Sequence, residues 1–383
     1  MKNDRPTVID LFCGCGGLSL GAARAGFSVV AGLDTDERAI KAHALNFPES
    51  KHLELDIATL SGSDITRELT PTTKDIDGLI GGPPCQGFSY IGKGKRNDKR
   101  NRLFFHFFRL VNELRPSFFL CENVPGILSP KHDRKRRTAL RQIEDDYTIL
   151  PPMKLKASDY GAPTTRTRVL YIGTRKDLGI EIQESDFEPK KDLIKVPVKD
   201  ALKGLRKSIS PDWQSAEQGW RIAGRGVNGG FGRRINAFIP KGIGDPEAIR
   251  ILKEEKRVSG CLGTVHAENV LERFDTVPQG AMDDVSRTTR LNLNGFCPTL
   301  RAGTGSDHGS HQALRPIHPT ENRMITVREA ARLQGFPDWF QFDDTKWHSF
   351  RQIGNSVSPI LAEVILRVIS NAVANFAHEG EIL

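Results

Sequence analysis

Residues 7–34 read TVIDLFCGCGGLSLGAARAGFSVVAGLD. Thr7–Phe12 is a short apolar run rich in Val and Ile, the composition of a buried strand. It meets Gly14, Gly16 and Gly17, and a helical pattern follows from Leu18 to Ala25. Phe27–Leu33 reads as a second strand that stops at Asp34. Strand, glycine turn, helix and strand in that order make one unit of a parallel α/β sheet. Glycines at a strand end let the backbone approach a ligand closely, and an acid ending the next strand can bond a ribose hydroxyl. The dinucleotide fingerprint G-x-G-x-x-G fails, because Ser19 stands in its third glycine position. The pattern fits an adenosine-containing cofactor rather than NAD in particular, and a tight turn in an ordinary α/β domain would look the same.

The alternation continues outward. Asp36–Asn46 reads as a helix, and Leu103–Leu114 as an amphipathic helix closed by Pro116. Leu53–Ile57, Ile76–Ile80, Phe118–Cys121, Thr148–Leu155 and Val169–Gly173 read as further strands. Strands alternating with helices predict an α/β fold with a parallel, doubly wound, Rossmann-like sheet. After about residue 176 the alternation stops. Residues 195–320 are rich in Gly, Arg, Asn and Thr, with poor periodicity, and read as loops and short strands. Regular pattern returns at Thr326–Leu333 and in a long helix from Pro359 to Ala377. The expected division is therefore 1–185, a smaller irregular domain over 186–320, and a return to the first domain over 321–383.

Composition narrows the class. A chain of 383 residues exceeds what one core usually covers. With 27% charged and 38% hydrophobic residues it is neither disordered nor collagen-like. No apolar run approaches the roughly 18 residues of a membrane helix. Met1–Asp10 lacks the pattern of a secretory signal. Six cysteines are too few for a disulfide scaffold. There are 55 Lys and Arg against 47 Asp and Glu, a net charge of +8. Residues 195–320 hold 19 basic and 13 acidic side chains, so they carry +6 of it. Clustered like charge points to a polyanionic partner such as nucleic acid, although a solvated basic surface is common.

Two further strand ends carry chemistry. Gly81-Gly-Pro-Pro-Cys-Gln-Gly-Phe-Ser89 follows a strand and so sets Cys85 at the carboxyl edge of the sheet, where ligands bind in such folds. Lys93, Lys95, Arg96, Lys99, Arg100 and Arg102 follow it, and nearby cations stabilise a thiolate. A zinc deaminase would need a second Cys where Phe88 stands, and Cys13-x-Cys15 has no partner pair, so no metal is expected. Cys121-Glu-Asn-Val-Pro125 ends another strand and sets Glu122 on the same edge, where a carboxyl can hold or donate a proton. Arg166 and Arg168, at spacing two before the last strand, should point the same way and grip a phosphate or carboxylate; the plainer reading is a surface pair.

In this order the motifs resemble those of the DNA (cytosine-5)-methyltransferases over almost the whole chain. The matching segments are Asp10–Gly17, Asp34, Asp56-Ile57, Gly81–Ser89, Glu122–Val124, Arg166-x-Arg168, Arg328–Pro337 and Gln352–Val357. Thr164, Thr35 and Leu55 depart from the family's usual residues. The resemblance implies S-adenosylmethionine as cofactor and duplex DNA as substrate. It implies Phe12 at the adenine, Asp34 at the ribose and Asp56 at the adenine amine. Gly14, Gly16, Gly17, Ile57, Pro84, Leu103, Asn355, Ser356 and Val357 would complete the cofactor site. It implies Cys85 as nucleophile and Glu122 as the acid at cytosine N3, with Arg166 and Arg168 beside them. The catalytic domain would be 1–185 with 321–383, and 186–320 the target-recognition domain. Such an enzyme is expected to act as a cytoplasmic monomer at the nucleoid, with no membrane partner. A restriction endonuclease for the same site is a companion the resemblance allows, and the sequence does not decide it. The nearest rivals are a tRNA methyltransferase of the same fold and an inactive DNA-binding homologue.

Overall fold

Thr7–Leu11 forms strand β1, in which Val8, Ile9 and Leu11 have no exposed surface. A strand apolar on both faces belongs in the middle of a sheet covered on both sides. The computed structural model describes residues 5–69, 76–84, 102–224, 229–302 and 313–380. Around β1 lie β2 (Ser28–Asp34), β3 (Lys51–Glu54), β4 (Gly78–Gly81), β5 (Phe118–Asn123), β6 (Tyr147–Ile149), β7 (Met153–Lys156) and β8 (Thr167–Arg175). They form one eight-stranded sheet, ordered β3-β2-β1-β4-β5-β8-β6, with β7 also paired to β8. The order reverses at β1, which marks the crevice where open α/β sheets bind ligands.

The expectation of a wholly parallel sheet needs correction. The five strands from β3 to β5 are parallel, but β8 runs antiparallel to β5, from Phe118 opposite Thr174 to Asn123 opposite Val169. Both β6 and β7 are in turn antiparallel to β8. The single strand expected over Thr148–Leu155 is two strands. Pro151 and Pro152, which have no N–H for a ladder, fall between them.

Helices α1 (Gly17–Ala25), α2 (Glu37–Asn46), α3 (Gly62–Leu69), α4 (Leu103–Leu114) and α5 (Asp133–Leu140) connect the strands. All nine residues of α1 are buried. At Gly21 a Cβ would lie 2.3 Å from the Cβ of Ala362, so glycine permits the close approach of α12 (Pro359–Gly380). That helix lays Ile360, Leu361, Ile365, Leu366 and Ile369 into the core. One expectation fails here. The stretch Lys346–Phe376, which holds α11 (Lys346–Asn355) and most of α12, is long and apolar enough to cross a membrane by length and composition. Its apolar residues are the core of this sheet domain.

Residues 186–302 contain more helix than expected. Short helices α6 (Val198–Leu202), α7 (Phe231–Asn236), α8 (Pro246–Arg250) and α9 (Glu268–Thr276) sit among two-residue strands β9 (Arg221–Ile222) and β10 (Arg257–Val258). A similar short pair joins β11 (Arg301–Ala302) to β12 (Ala313–Leu314). The start of α8 was readable: Asp245 accepts from the Ala248 N–H at 2.6 Å, and Pro246 follows it. Helix α10 (Val327–Gln334), expected at Thr326–Leu333, opens on a capping box between Thr326 and Glu329. Its Arg328 and Arg332 are fully buried. Arg328 donates to the carbonyls of Ser259, Pro337 and Phe340, each at 2.9 Å. Arg332 donates to those of Ala201 and Lys203 at 3.2 and 2.7 Å.

Candidate active site

The loop after β1 folds back on β2. Cys13 N–H donates to the Leu33 carbonyl at 2.9 Å. Gly14 N–H donates to the Asp34 carboxylate at 2.9 Å, and Asp36 N–H donates to its other oxygen at 3.0 Å. Burial raises the Asp34 carboxyl above its ordinary range. Phe12 is half-buried with φ at 65°, a left-handed conformation costly for any side chain but glycine's. Nothing stands within 4 Å of where a Gly14 Cβ would be. The loop therefore presents bare backbone beside the Asp34 carboxylate.

The chain's other end closes this loop from behind. At Gly17 a Cβ would lie 2.5 Å from the Val357 carbonyl and 2.9 Å from Ser356 Cβ. Ser356 Oγ lies 3.2 Å from Cys15 Sγ, and Gln334 donates to the Ser356 carbonyl at 2.8 Å. Gly16, with φ at 101°, is the N-cap of α1. Asn355 keeps its side chain exposed. On the next strand Asp34 is paired with Glu54 in register, and exposed Asp56 follows two residues on, bonding the Ala58 N–H at 2.9 Å. Ile57 is buried, and its carbonyl takes a guanidinium N–H of Arg109 at 2.8 Å. Leu103, half-buried, begins α4 against the same core.

Beneath the loop lies a group that the sequence reading missed. Ser19 Oγ donates to Asp10 at 2.5 Å and lies 3.0 Å from His43 Nε2. All three residues are buried. Burial pushes the Asp10 carboxyl up to about 7 and holds the His43 imidazole well below its usual range. Ser19, noticed only as a missing glycine, is the link between an acid and a histidine. The sole signal was that substitution itself.

On the far side of β4, Glu122 and Arg168 form an ion pair, each 8% exposed. Buried charges persist when paired. Arg166 parts from Arg168. It is 1% exposed and donates to the carbonyls of Leu300 at 3.1 Å and Asn355 at 3.2 Å. The surface pair is thus excluded, since both arginines are buried, and Arg168 is the one that holds Glu122. The reason is register: β8 starts at Thr167, so Arg166 lies outside the strand. Thr164 sits under it, accepting the Arg166 N–H at 3.2 Å. Asn123 donates to the Pro83 carbonyl at 3.2 Å, and Pro84 is half-buried. A Cβ on Gly82 would lie 2.8 Å from a Glu122 oxygen. Cys85 lies outside the described residues, as do Lys93, Lys95, Arg96, Lys99 and Arg100; Arg102 is described and exposed.

Comparison with known proteins identifies the family. Residues 6–371 match the family model of the C-5 cytosine-specific DNA methylases. The type II methyltransferase M.XorII of Xanthomonas oryzae pv. oryzae is 40% identical over 94% of this chain and 84% of its own. M.DdeI of Desulfomicrobium norvegicum is 30% identical over 95% of this chain and 88% of its own. A prophage-encoded Escherichia coli protein described as a DNA modification methyltransferase superposes with a TM-score of 0.87 at 50% identity, covering 96% of this chain and 99% of that one. The S. pombe Dnmt2 methyltransferase, at 17% identity and a TM-score of 0.60, shares the fold. By this match, which spans nearly the whole chain, the chain belongs to the C-5 cytosine-specific DNA methylases.

Proposed function

We propose that this DNA (cytosine-5)-methyltransferase uses S-adenosylmethionine and a covalent Cys85–C6 intermediate on a cytosine flipped out of duplex DNA. One observation carries the reading. Among the described residues every cysteine is buried: Cys13, Cys15, Cys121, Cys261 and Cys297. Burial pushes the thiols of Cys15 and Cys261 up to about 12 and those of Cys13, Cys121 and Cys297 up as well. None is a thiolate near neutral pH. The sixth, Cys85, comes two residues after Pro83, whose carbonyl Asn123 ties to the strand of Glu122.

The bare backbone at Gly14 beside Asp34 fits an adenosine-containing group. Phe12, Gly14, Gly16, Gly17, Asp34, Asp56, Ile57, Pro84, Leu103, Asn355, Ser356 and Val357 would hold it. When bound, S-adenosylmethionine supplies an electrophilic methyl group. This chain's residues prepare the base for it. The Cys85 thiolate adds to C6 and makes C5 nucleophilic. Glu122, oriented by Arg168, takes up a proton from solvent and passes it to N3 as charge develops. Loss of the C5 proton later expels the thiolate. Extrusion of the base is needed because neither atom is reachable inside a duplex. Residues 186–320 read the target sequence, and 1–185 with 321–383 carry the chemistry. The enzyme acts as a monomer in the cytoplasm, and the type II relatives make a restriction endonuclease for the same site its expected companion.

A fluorine at C5 blocks the last proton loss, so a duplex with 5-fluorocytosine in its recognition site should trap the enzyme. A denaturing gel should show a covalent band that needs cofactor and vanishes in Cys85→Ser. Glu122→Gln should form it about a hundredfold more slowly or worse. Wild-type enzyme that methylates ordinary DNA without giving the band would overturn the Cys85 step.

A further inference from the structure

The strand carrying Glu122 leads into Lys131-His-Asp-Arg-Lys-Arg-Arg-Thr-Ala-Leu-Arg141, which holds six cations and one acid. Within it, α5 packs by Ala139 and Leu140 against the core under α4. Arg136 folds inward, donates to the Ile127 carbonyl at 2.6 Å and pairs with Asp133. That contact ties the helix to the turn that follows Glu122-Asn123. Gln142 donates to the Phe105 carbonyl at 3.1 Å, fixing the other end of α5 to the start of α4.

The remaining cations face outward. Lys131, Arg134, Lys135, Arg137 and Arg141 are all exposed. Arg134, Arg137 and Arg141 recur at helical spacing and so share one face with Thr138. Among the described residues none of these three arginines has an acidic partner in an ion pair. The acid run Glu144-Asp145-Asp146 comes only after the helix, and Asp146 pairs with Arg115.

One cost makes this arrangement unfavourable without an anion. Like charges three and four residues apart on a helix repel. Asp133 in the first turn and Arg137 in the last suit the helix dipole, while the N-cap residue of α5, His132, makes no side-chain capping bond. Burial lowers the His132 imidazole pKa, and Lys131, Lys135 and Arg136 lower it further, so the local field is positive. A solvated helix usually mixes signs along its outer face. This one does not.

We propose that the outer face of α5 binds backbone phosphates of the duplex flanking the target base, on the Glu122 side and outside residues 186–320. The idea rests on duplex DNA being the substrate. From Arg134 to Arg141 the stripe runs about 10 Å at 1.5 Å per residue. One DNA strand passes about three phosphates in that distance, at roughly 3.4 Å each. Side chains that touch only phosphates position the duplex and carry no sequence information.

The test compares the full-length enzyme with Arg134→Gln/Arg137→Gln/Arg141→Gln on a mixed-sequence 40-base-pair duplex across a salt series. Each lost phosphate contact should lower the slope of log affinity against log salt by about 0.9, so the triple variant should lose about 2 to 3 in slope. Affinity near 100 mM salt should fall at least tenfold. The Arg→Lys triple variant keeps the charge and should retain the wild-type slope, which separates charge loss from damage to the helix. If wild type binds duplex with a steep slope and the Gln variant matches it, this role of α5 is wrong. If wild type shows no salt-dependent duplex binding at all, the underlying DNA reading has failed instead. Loss of tRNA binding with duplex binding intact would assign the face to another polyanion and overturn the proposal.

Discussion

The sheet domain and the irregular stretch between residues 186 and 320 meet the same requirement, partners for backbone carbonyls, in different proportions. In the sheet, ladders and helices supply most of the donors. In the irregular stretch, where such ladders are short, arginines add to the backbone's own bonds. Carbonyls of Ala201, Lys203, Lys207, Ile235, Ser259, Phe274 and Leu300 each take a guanidinium N–H, and Arg24, Arg166, Arg290, Arg323, Arg328 and Arg332 are the donors. Only Arg290 among these belongs to the stretch itself. The others reach in from the sheet domain or from the segment at α10. Short elements leave many carbonyls unpaired, and a rigid five-donor fork satisfies several at once. The contrast shows that a cation counted in a sequence need not be available to DNA. Within the stretch itself Arg290 is buried, Arg273 pairs with Asp283, and Arg250 is taken up by Glu247, Glu254 and Glu255. The basic excess in 195–320 is thus partly scaffold.

The largest effect should come from cutting the arginine link. Arg332 and Asp338 form a bidentate pair with no exposure on either side, both contacts at 2.7 Å. Arg332→Ala leaves the buried Asp338 carboxylate without its counter-charge, held only by the Asn236 amide, and takes a donor from two carbonyls, which should cost about 3–5 kcal/mol. Denaturant unfolding measures it, and limited proteolysis should cut first within 186–320. A loss below 1 kcal/mol would mean that arginines do not hold this stretch.

Next comes a pH effect confined to the sheet domain. Asp10, raised to about 7 when folded, binds its proton in the native state while an unfolded aspartate near 3.8 has lost it. The Asp10 contribution to stability should therefore fall as pH rises from about 4 to 7 and level off above, by at most about 4 kcal/mol at 1.36 kcal/mol per unit, against an opposite contribution from the depressed His43 imidazole. Asp10→Asn should flatten that slope while keeping an acceptor for Ser19. An unchanged slope in thermal melts across this window would exclude Asp10 as its source.

The smallest of the three tests close packing. Gly21→Ala drives a methyl to within 2.3 Å of Ala362 and should cost about 1–3 kcal/mol. The companion change Ala362→Gly should recover only part of it in the urea midpoint, because the Ala362 carbonyl carbon and the Glu363 nitrogen would still lie 2.8 Å from the new methyl. No recovery would place the whole cost on the α12 backbone, and full recovery would place it on the two methyl groups alone.

Much of the sheet was legible because its signals are local. Leu103–Leu114 has the same bounds in sequence and structure, and Asp36 caps the helix expected after it. The direction of β8 was not legible, since strand composition says nothing about orientation. The site divides in the same way. Glycine spacing and strand ends located Asp34 and Glu122. Nothing in the sequence told Arg166 from Arg168, because their fates depend on where β8 begins and on carbonyls as distant as Leu300 and Asn355. The Asp10–Ser19–His43 chain needed three elements brought together before it could be seen.

The contact of Ser356 with Cys15 joins residues 341 positions apart. On a ribosome adding about 5–20 residues per second, the glycine loop leaves first and waits on the order of 20 to 70 s for the segment that backs it. Until α12 arrives, α1 exposes the apolar face that Gly21 and Ala362 later seal. A prematurely ended chain would keep the Asp34 loop yet lack its buttress. The loop therefore gains its support only when nearly all of the chain has been translated.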